Sequence, residues 1–110
     1  MVGKKQQLVD ELFEYLKEKG ANPRKLVTAG NRIADIVTDE AVYEVVANAD
    51  AEVIQTAVPH VLASRNELDP SLKSFIYGFT SGEDLTAAIE AASKWGVTVM
   101  LVREGEKPGP

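Results

Sequence analysis

Two runs of alternating residues, 32–38 (RIADIVT) and 41–47 (AVYEVVA), stand either side of one break at Asp39-Glu40. A period of two over that length specifies strands, and a two-residue break between them closes a β-hairpin. Successive side chains alternate faces. Ile33, Asp35 and Val37 therefore share one face of the first strand, and Val42, Glu44 and Val46 share one face of the second. With Asp39-Glu40 at the tip, Thr38 pairs with Ala41. The antiparallel register then sets Val37 opposite Val42, Asp35 opposite Glu44 and Ile33 opposite Val46. An odd-length loop or a bulge would break this pairing.

The flanking segments supply the rest of the fold. Leu8, Leu12, Phe13 and Leu16 recur at helical spacing with Gly20 as terminator, which predicts a helix over 5–19. Residues 25–29 read as a short strand ended by Gly30-Asn31. Residues 48–68 return to helical spacing, with Ile54, Ala57, Val61 and Leu62 on one side. Pro59 interrupts that stretch at a cost of about 3 kcal/mol, so either the helix kinks there, the favoured reading, or a loop precedes it and the helix proper starts near Pro59. After the Asp69-Pro70 turn, residues 73–80 (KSFIYGFT) form a strand, and Ser81 to Asp84 fit a capping box with Ser81 as N-cap. Leu85, Ile89, Ala92 and Trp95 space the helix this opens, with Trp95 expected in its buried stripe and Phe75, Tyr77 and Phe79 in the core. Residues 97–102 (VTVMLV) are apolar on both faces, as a central buried strand is. The order α-β-β-β-α-β-α-β specifies an α/β domain (an α+β mixed sheet) with helices on the sheet faces. Its last two strands should be parallel and joined by a right-handed crossover. A single domain over 1–103 is expected, followed by a flexible tail over 104–110.

Composition narrows the function classes. The chain has 110 residues, 45% apolar and 26% charged, enough for one modest core. It has no cysteine, which excludes disulfides and thiolate metal sites. No apolar run approaches the roughly 18–20 residues needed to span a bilayer. The opening MVGKKQQ lacks the apolar stretch of a secretory signal, so a cytoplasmic location is expected. A net charge of −5 argues against gripping nucleic acid by bulk electrostatics. Arg24, Lys25 and Arg32 are the best candidates for a local basic patch; solvated charges beside a turn are the competing reading. No P-loop, dinucleotide fingerprint or zinc spacing is present.

The hairpin carries the chemistry. Directly opposed residues have Cβ atoms about 4.5–5.5 Å apart, and like charges there destabilise the sheet. Asp35 and Glu44 are also flanked by apolar neighbours on their own faces. Two carboxylates so placed share a proton or share a cation, and their hard oxygens suit Mg²⁺ or Mn²⁺. A third ligand would come from Glu11, or from Glu14, three residues further along the first helix. His60, the only histidine, is either a surface residue or a base or ligand beside the pair. Ser64 lies one helical turn after His60, which leaves a Ser–His pair open.

An acid on the second strand and Glu-x-x on the third, between an N-terminal helix and a following helix, resembles the PD-(D/E)XK nuclease superfamily. Archaeal Holliday-junction resolvases and RecB-like small nuclease domains are the members most similar in pattern. The likeness spans residues 5–102 and implies a restriction-endonuclease-like core. It further implies that Asp35 and Glu44 bind a metal that activates water, aided by Glu11 or Glu14. The family's lysine is absent, since Val46 stands at its position in Glu44-Val45-Val46. Where many RecB-like members carry Gln-x-x-x-Tyr, this chain has His60 and Ser64. Neutral drift or deliberate engineering would each produce three such changes around one cleft. The resemblance thus implies a degenerate nuclease-fold protein, weak or inactive as a metal-dependent DNA endonuclease. The alternative is a natural or engineered non-catalytic scaffold on this fold that binds a small molecule or a protein partner. Small resolvase-like nucleases commonly pair, which implies a homodimer.

Overall fold

A computed structural model describes residues 3–106 of the chain. Three helices and five strands follow in the expected order: α1 (Lys4–Glu18), β1 (Arg24–Ala29), β2 (Arg32–Val37), β3 (Ala41–Ala49), α2 (Ala51–Leu68), β4 (Lys73–Thr80), α3 (Thr86–Lys94) and β5 (Val97–Val102). The strands form one mixed sheet in the order β1-β2-β3-β4-β5. The first three are antiparallel neighbours, while β3–β4 and β4–β5 are parallel. Sequential order follows from the connections: short turns can only join antiparallel neighbours, and the two helical crossovers each deliver the chain to the next parallel position.

The helices divide between the two faces. The stripe of Leu8, Val9, Leu12 and Leu16 on α1 packs against Ile36, Tyr43, Val45, Tyr77 and Phe79. On the opposite face Ile54, Ala57 and Val61 of α2 and Ala92 of α3 pack against Ala34, Val37, Val42, Ile76 and Val97. Both crossover helices lie on that one face, as two connections of like hand running in one direction across a sheet must. Leu8, Leu12, Ile36, Ile54 and Ile76 are fully buried. Each such side chain stabilises the fold by about 1.5–3 kcal/mol relative to exposure.

Several expectations need correction. Trp95 is not in a buried stripe: it is 71% exposed, because α3 ends at Lys94 and Trp95 falls in the turn beyond it. β5 is an edge strand rather than a central one, and four of its residues are only half-buried. Ser81 does not cap α3, which starts at Thr86 with Leu85 at the N-cap. Gly82 adopts a left-handed φ of 86°, and Asp84 closes its own short turn by accepting from the Thr86 N–H and hydroxyl at 3.0 and 2.7 Å. The strand expected over 41–47 runs on to Ala49, so α2 begins at Ala51. There Asp50 is the N-cap and accepts from the Val53 N–H at 2.8 Å. Pro59 lies inside α2 without ending it. Residues 103–106 form a turn closed by the Glu106 N–H on the Arg103 carbonyl at 3.0 Å; the rest of the expected tail, 107–110, lies outside the described residues.

Gly78 fixes the spacing between β3 and β4. A Cβ there would stand 2.5 Å from the Val46 carbonyl oxygen and 2.7 Å from its Cγ2, at the point where the β3–β4 register shifts between Val46 and Asn48. Gly78→Ala is therefore expected to destabilise the fold by about 1–3 kcal/mol through overpacking. Asp50→Ala should cost about 1 kcal/mol by removing the cap, whereas Trp95→Ser should stay within about 0.5 kcal/mol. Urea unfolding midpoints of the three variants test this ranking.

Candidate functional site

The hairpin turn forms as its sequence demands. Thr38 N–H donates to the Ala41 carbonyl at 2.8 Å, and the Thr38 hydroxyl accepts from the Glu40 and Ala41 N–H groups at 3.1 and 3.0 Å. Val37 then pairs with Val42 and Ile36 with Tyr43, the register expected from the two-residue tip. The ladder stops there. The pairs Asp35–Glu44 and Ile33–Val46 would continue the same register, but β2 leaves β3 after Ile36.

The hydrogen bonds explain how the parting is tolerated. Hydrogen-bonded pairs recur every second residue, so Thr38–Ala41 and Ile36–Tyr43 should be followed by Ala34–Val45. Instead the Val45 N–H donates to Oδ2 of Asp35 at 2.8 Å. A side-chain carboxylate has replaced a backbone carbonyl in the ladder, so the Val45 N–H keeps a partner. The ladder on the other side of β2 is interrupted at the same residue. Lys25–Ile36 and Val27–Ala34 pair, but Leu26–Asp35 does not. Leu26 adopts a left-handed φ of 52°, a conformation that costs a non-glycine residue of order 1–3 kcal/mol. Strain and two broken ladders thus converge on Asp35.

Asp35 is 5% exposed, and its Oδ1 lies 3.2 Å from the Lys5 ammonium, which reaches over from α1. Glu44 is half-buried beside it. Burial, reinforced by a hydrogen bond to and the charge of Asp35, pushes the Glu44 carboxyl from its ordinary 4.5 up to about 8, against a smaller opposing pull from Lys5. Glu44 therefore holds a proton at neutral pH. The two acids lie close enough to interact, but not as the directly opposed ladder pair that the pattern anticipated.

Glu44 opens onto a cleft of about 480 Å³ between β3 and the first half of α2, where Val46, Asp50, Thr56 and His60 also lie. His60 is exposed at this cleft, so the structure brings it to the same place as Glu44. Ser64 is buried and does not line the cleft, so the two do not present a Ser–His pair to it. Glu11 lies about 120° round α1 from Lys5, and its charge, after burial, helps push the Tyr77 hydroxyl up to about 12. Glu11 Oε2 and the Tyr77 hydroxyl are both buried without hydrogen-bond partners. Glu14 is exposed. Among the described residues no group of three His, Cys, Asp or Glu side chains is arranged to hold a metal ion.

The basic trio is largely spent on neighbours. Lys25 pairs with Asp10 at 2.9 Å and sits 4.6 Å from the centre of the Phe13 ring. Arg24 lies 3.9 Å from Asp39 and donates to the Thr38 carbonyl at 3.4 Å. Arg32 is exposed at the far end of the β1–β2 hairpin, paired with Ala29. Sequence reasoning missed Lys5, although a signal was present. It precedes Val9 by one helical turn and so borders the buried stripe of α1, where a long cationic arm can reach the sheet.

No family model matches the sequence, and no curated protein matches it either. No helix among the described residues is long and apolar enough to cross a membrane.

The pairing of the acids has a measurable pH signature. A carboxyl raised in the folded state contributes stability below its unfolded value that is lost as pH rises through the folded value. Wild-type stability should therefore fall between pH 4.5 and about 8, while Glu44→Gln should flatten that part of the profile. Urea unfolding at pH 5, 7 and 9, with a carbon-detected titration of Glu44 centred near 8, measures both.

Proposed function

We propose that this chain is a nuclease-fold protein that keeps the paired acids of a PD-(D/E)XK centre without its lysine, so that metal-dependent DNA cleavage is weak or absent. The observation that carries this reading is the meeting of the buried Asp35 with the half-buried Glu44 where β2 parts from β3. Further support comes from the mixed five-stranded sheet with α1 on one face and α2 and α3 on the other, an arrangement compatible with a restriction-endonuclease-like core.

The donor set suits a hard cation. Two carboxylates with water completing the shell is a common way of holding Mg²⁺. The Lys5 ammonium already neutralises Asp35, and its half-exposed side chain is long enough to swing aside. Glu44 would have to surrender its proton as the cation binds, and His60 lines the same cleft. A divalent ion held by the pair would polarise a phosphodiester and lower the pKa of a bound water. Val46 supplies neither charge nor hydrogen bond where an ammonium would stabilise developing negative charge. Arg24 and Lys25 are paired with acids, which reduces what they offer to DNA.

A second reading rests on a different place. A groove of about 580 Å³ between α2 and α3 is walled by Val58, Pro59, Leu62, Ala88 and Ala91, with the exposed Trp95 at its side and no charged residue in its lining. A neutral apolar small molecule fits such a groove. This supports a non-catalytic binding scaffold as the alternative.

Calorimetric titration with Mn²⁺ should show millimolar or tighter binding that Asp35→Ala and Glu44→Ala abolish, while Lys5→Gln strengthens it several-fold. On branched and linear DNA with Mn²⁺, wild type should cut feebly and Val46→Lys should raise cleavage by about tenfold or more, the scale of one well-placed charge. Robust cutting that survives both alanine substitutions would sink the reading. No metal binding, with quenching of Trp95 by small apolar ligands, would favour the scaffold.

A further inference from the structure

In an α-helix each backbone N–H donates to the carbonyl four residues back, and proline has no N–H to give. Pro59 lies inside α2, so the Gln55 carbonyl is without the donor that position 59 would otherwise supply. Residues four apart share one side of a helix. That side faces the groove of about 580 Å³ between α2 and α3, since Gln55 and Pro59 are both in its lining. An open backbone acceptor therefore stands in an otherwise apolar wall.

The groove exists because α3 has nothing to fill it with. Its wall there is Ala87, Ala88, Ala91 and Ala92, four methyl groups facing the larger side chains of α2. Both helices carry the chain back between parallel strands, so they run in the same direction. Trp95, one residue past the end of α3, marks the end of the groove that Leu62 walls on α2. Gln55 lies about 10 Å from that level, at 1.5 Å per residue. The indole is largely exposed and offers a flat apolar face. No charged residue lines the groove. A neutral molecule is thus favoured, but a wholly apolar one would strip water from the Gln55 carbonyl and return no hydrogen bond.

We propose that the groove binds a neutral aromatic molecule bearing one hydroxyl or N–H, with its ring against Trp95 and its donor on the Gln55 carbonyl that Pro59 leaves open. A single para-substituted ring spans the separation between those two residues. This deepens the small-molecule reading of the groove, on which it rests, and is independent of the carboxylate pair. Pro59 is then a specificity residue: it costs α2 one internal hydrogen bond and gives the groove its one directional contact.

Two ligands that differ in that donor alone, 4-tert-butylphenol and its methyl ether 4-tert-butylanisole, test it on the full chain. Fluorescence of Trp95, the only tryptophan, and the amide shifts of Leu62 and Ala88 follow binding. The phenol should bind about threefold to tenfold more tightly than the ether, the worth of one hydrogen bond. Pro59→Ala supplies the missing N–H, which closes onto the Gln55 carbonyl, and it favours the helix, so the fold is kept. In that variant the phenol should lose its advantage while the ether binds as before. Gln55→Leu removes the side-chain carboxamide but not the carbonyl, and the advantage should persist. Trp95→Ala should weaken both ligands alike. Equal affinity of wild type for the two ligands overturns the inference and leaves the groove reading standing. So does an advantage that survives Pro59→Ala or disappears in Gln55→Leu. If Pro59→Ala repacks the groove, seen as lost ether binding, the ligand pair on wild type and Gln55→Leu decides. A wild type in which neither ligand moves these signals, because a second copy covers the groove or nothing enters it, removes the groove reading together with the inference.

Discussion

The hydrogen bond from the Val45 N–H to the Asp35 carboxylate holds together the least regular part of this molecule. β2 stays paired with β1 along its length, with only the Leu26–Asp35 pair missing, but it leaves β3 at Asp35. A backbone donor left bare in that gap would cost about 1–3 kcal/mol. The carboxylate satisfies it from the side-chain end, which lets the strands part without unzipping. The parting in turn makes room for Glu44 beside Asp35, and burial there keeps Glu44 protonated at neutral pH. Removing Asp35 would therefore loosen a strand junction as well as an acid pair.

The site also depends on elements remote in sequence. Lys5 reaches Asp35 because the buried stripe of α1 fixes that helix against Ile36, Tyr43 and Val45. His60 reaches the cleft because Asp50 starts α2 immediately after β3, which lays the first half of the helix along Glu44 and Val46. The close approach of β4 at Gly78 supports Val46 from the other side. One face of the sheet delivers a cation and the other an imidazole, to two acids carried by one hairpin.

Much of this was legible in the residues. The alternation around Asp39-Glu40 specified the hairpin and the Val37–Val42 register, because turn length and a period of two leave no other choice. The element order, the parallel last pair and the meeting of Asp35 with Glu44 followed from the same patterns. What failed did so for identifiable reasons. Trp95 has the spacing of its helix, but the helix ends one residue too early to carry it inward. VTVMLV is apolar enough for a central strand, yet its place at the edge depends on which neighbours the crossovers supply. Ser81-x-x-Asp84 has the letters of a capping box, but the turn at Asp84 takes its own hydrogen bonds first.

The sequence by itself determined the strands, the hairpin and its Val37–Val42 register, all of which are set by residues within about a dozen positions of one another. Tertiary structure decided everything that depends on distance in space. It brought Lys5 to Asp35, set the charge of Glu11 against Tyr77, sent Ser64 into the core, and left β1 and β5 as the two edges of the sheet. The physical reason is the same in each case. Local pattern states which way a side chain points from its own backbone, but only the packing of α1 and α2 against opposite faces decides what it points at.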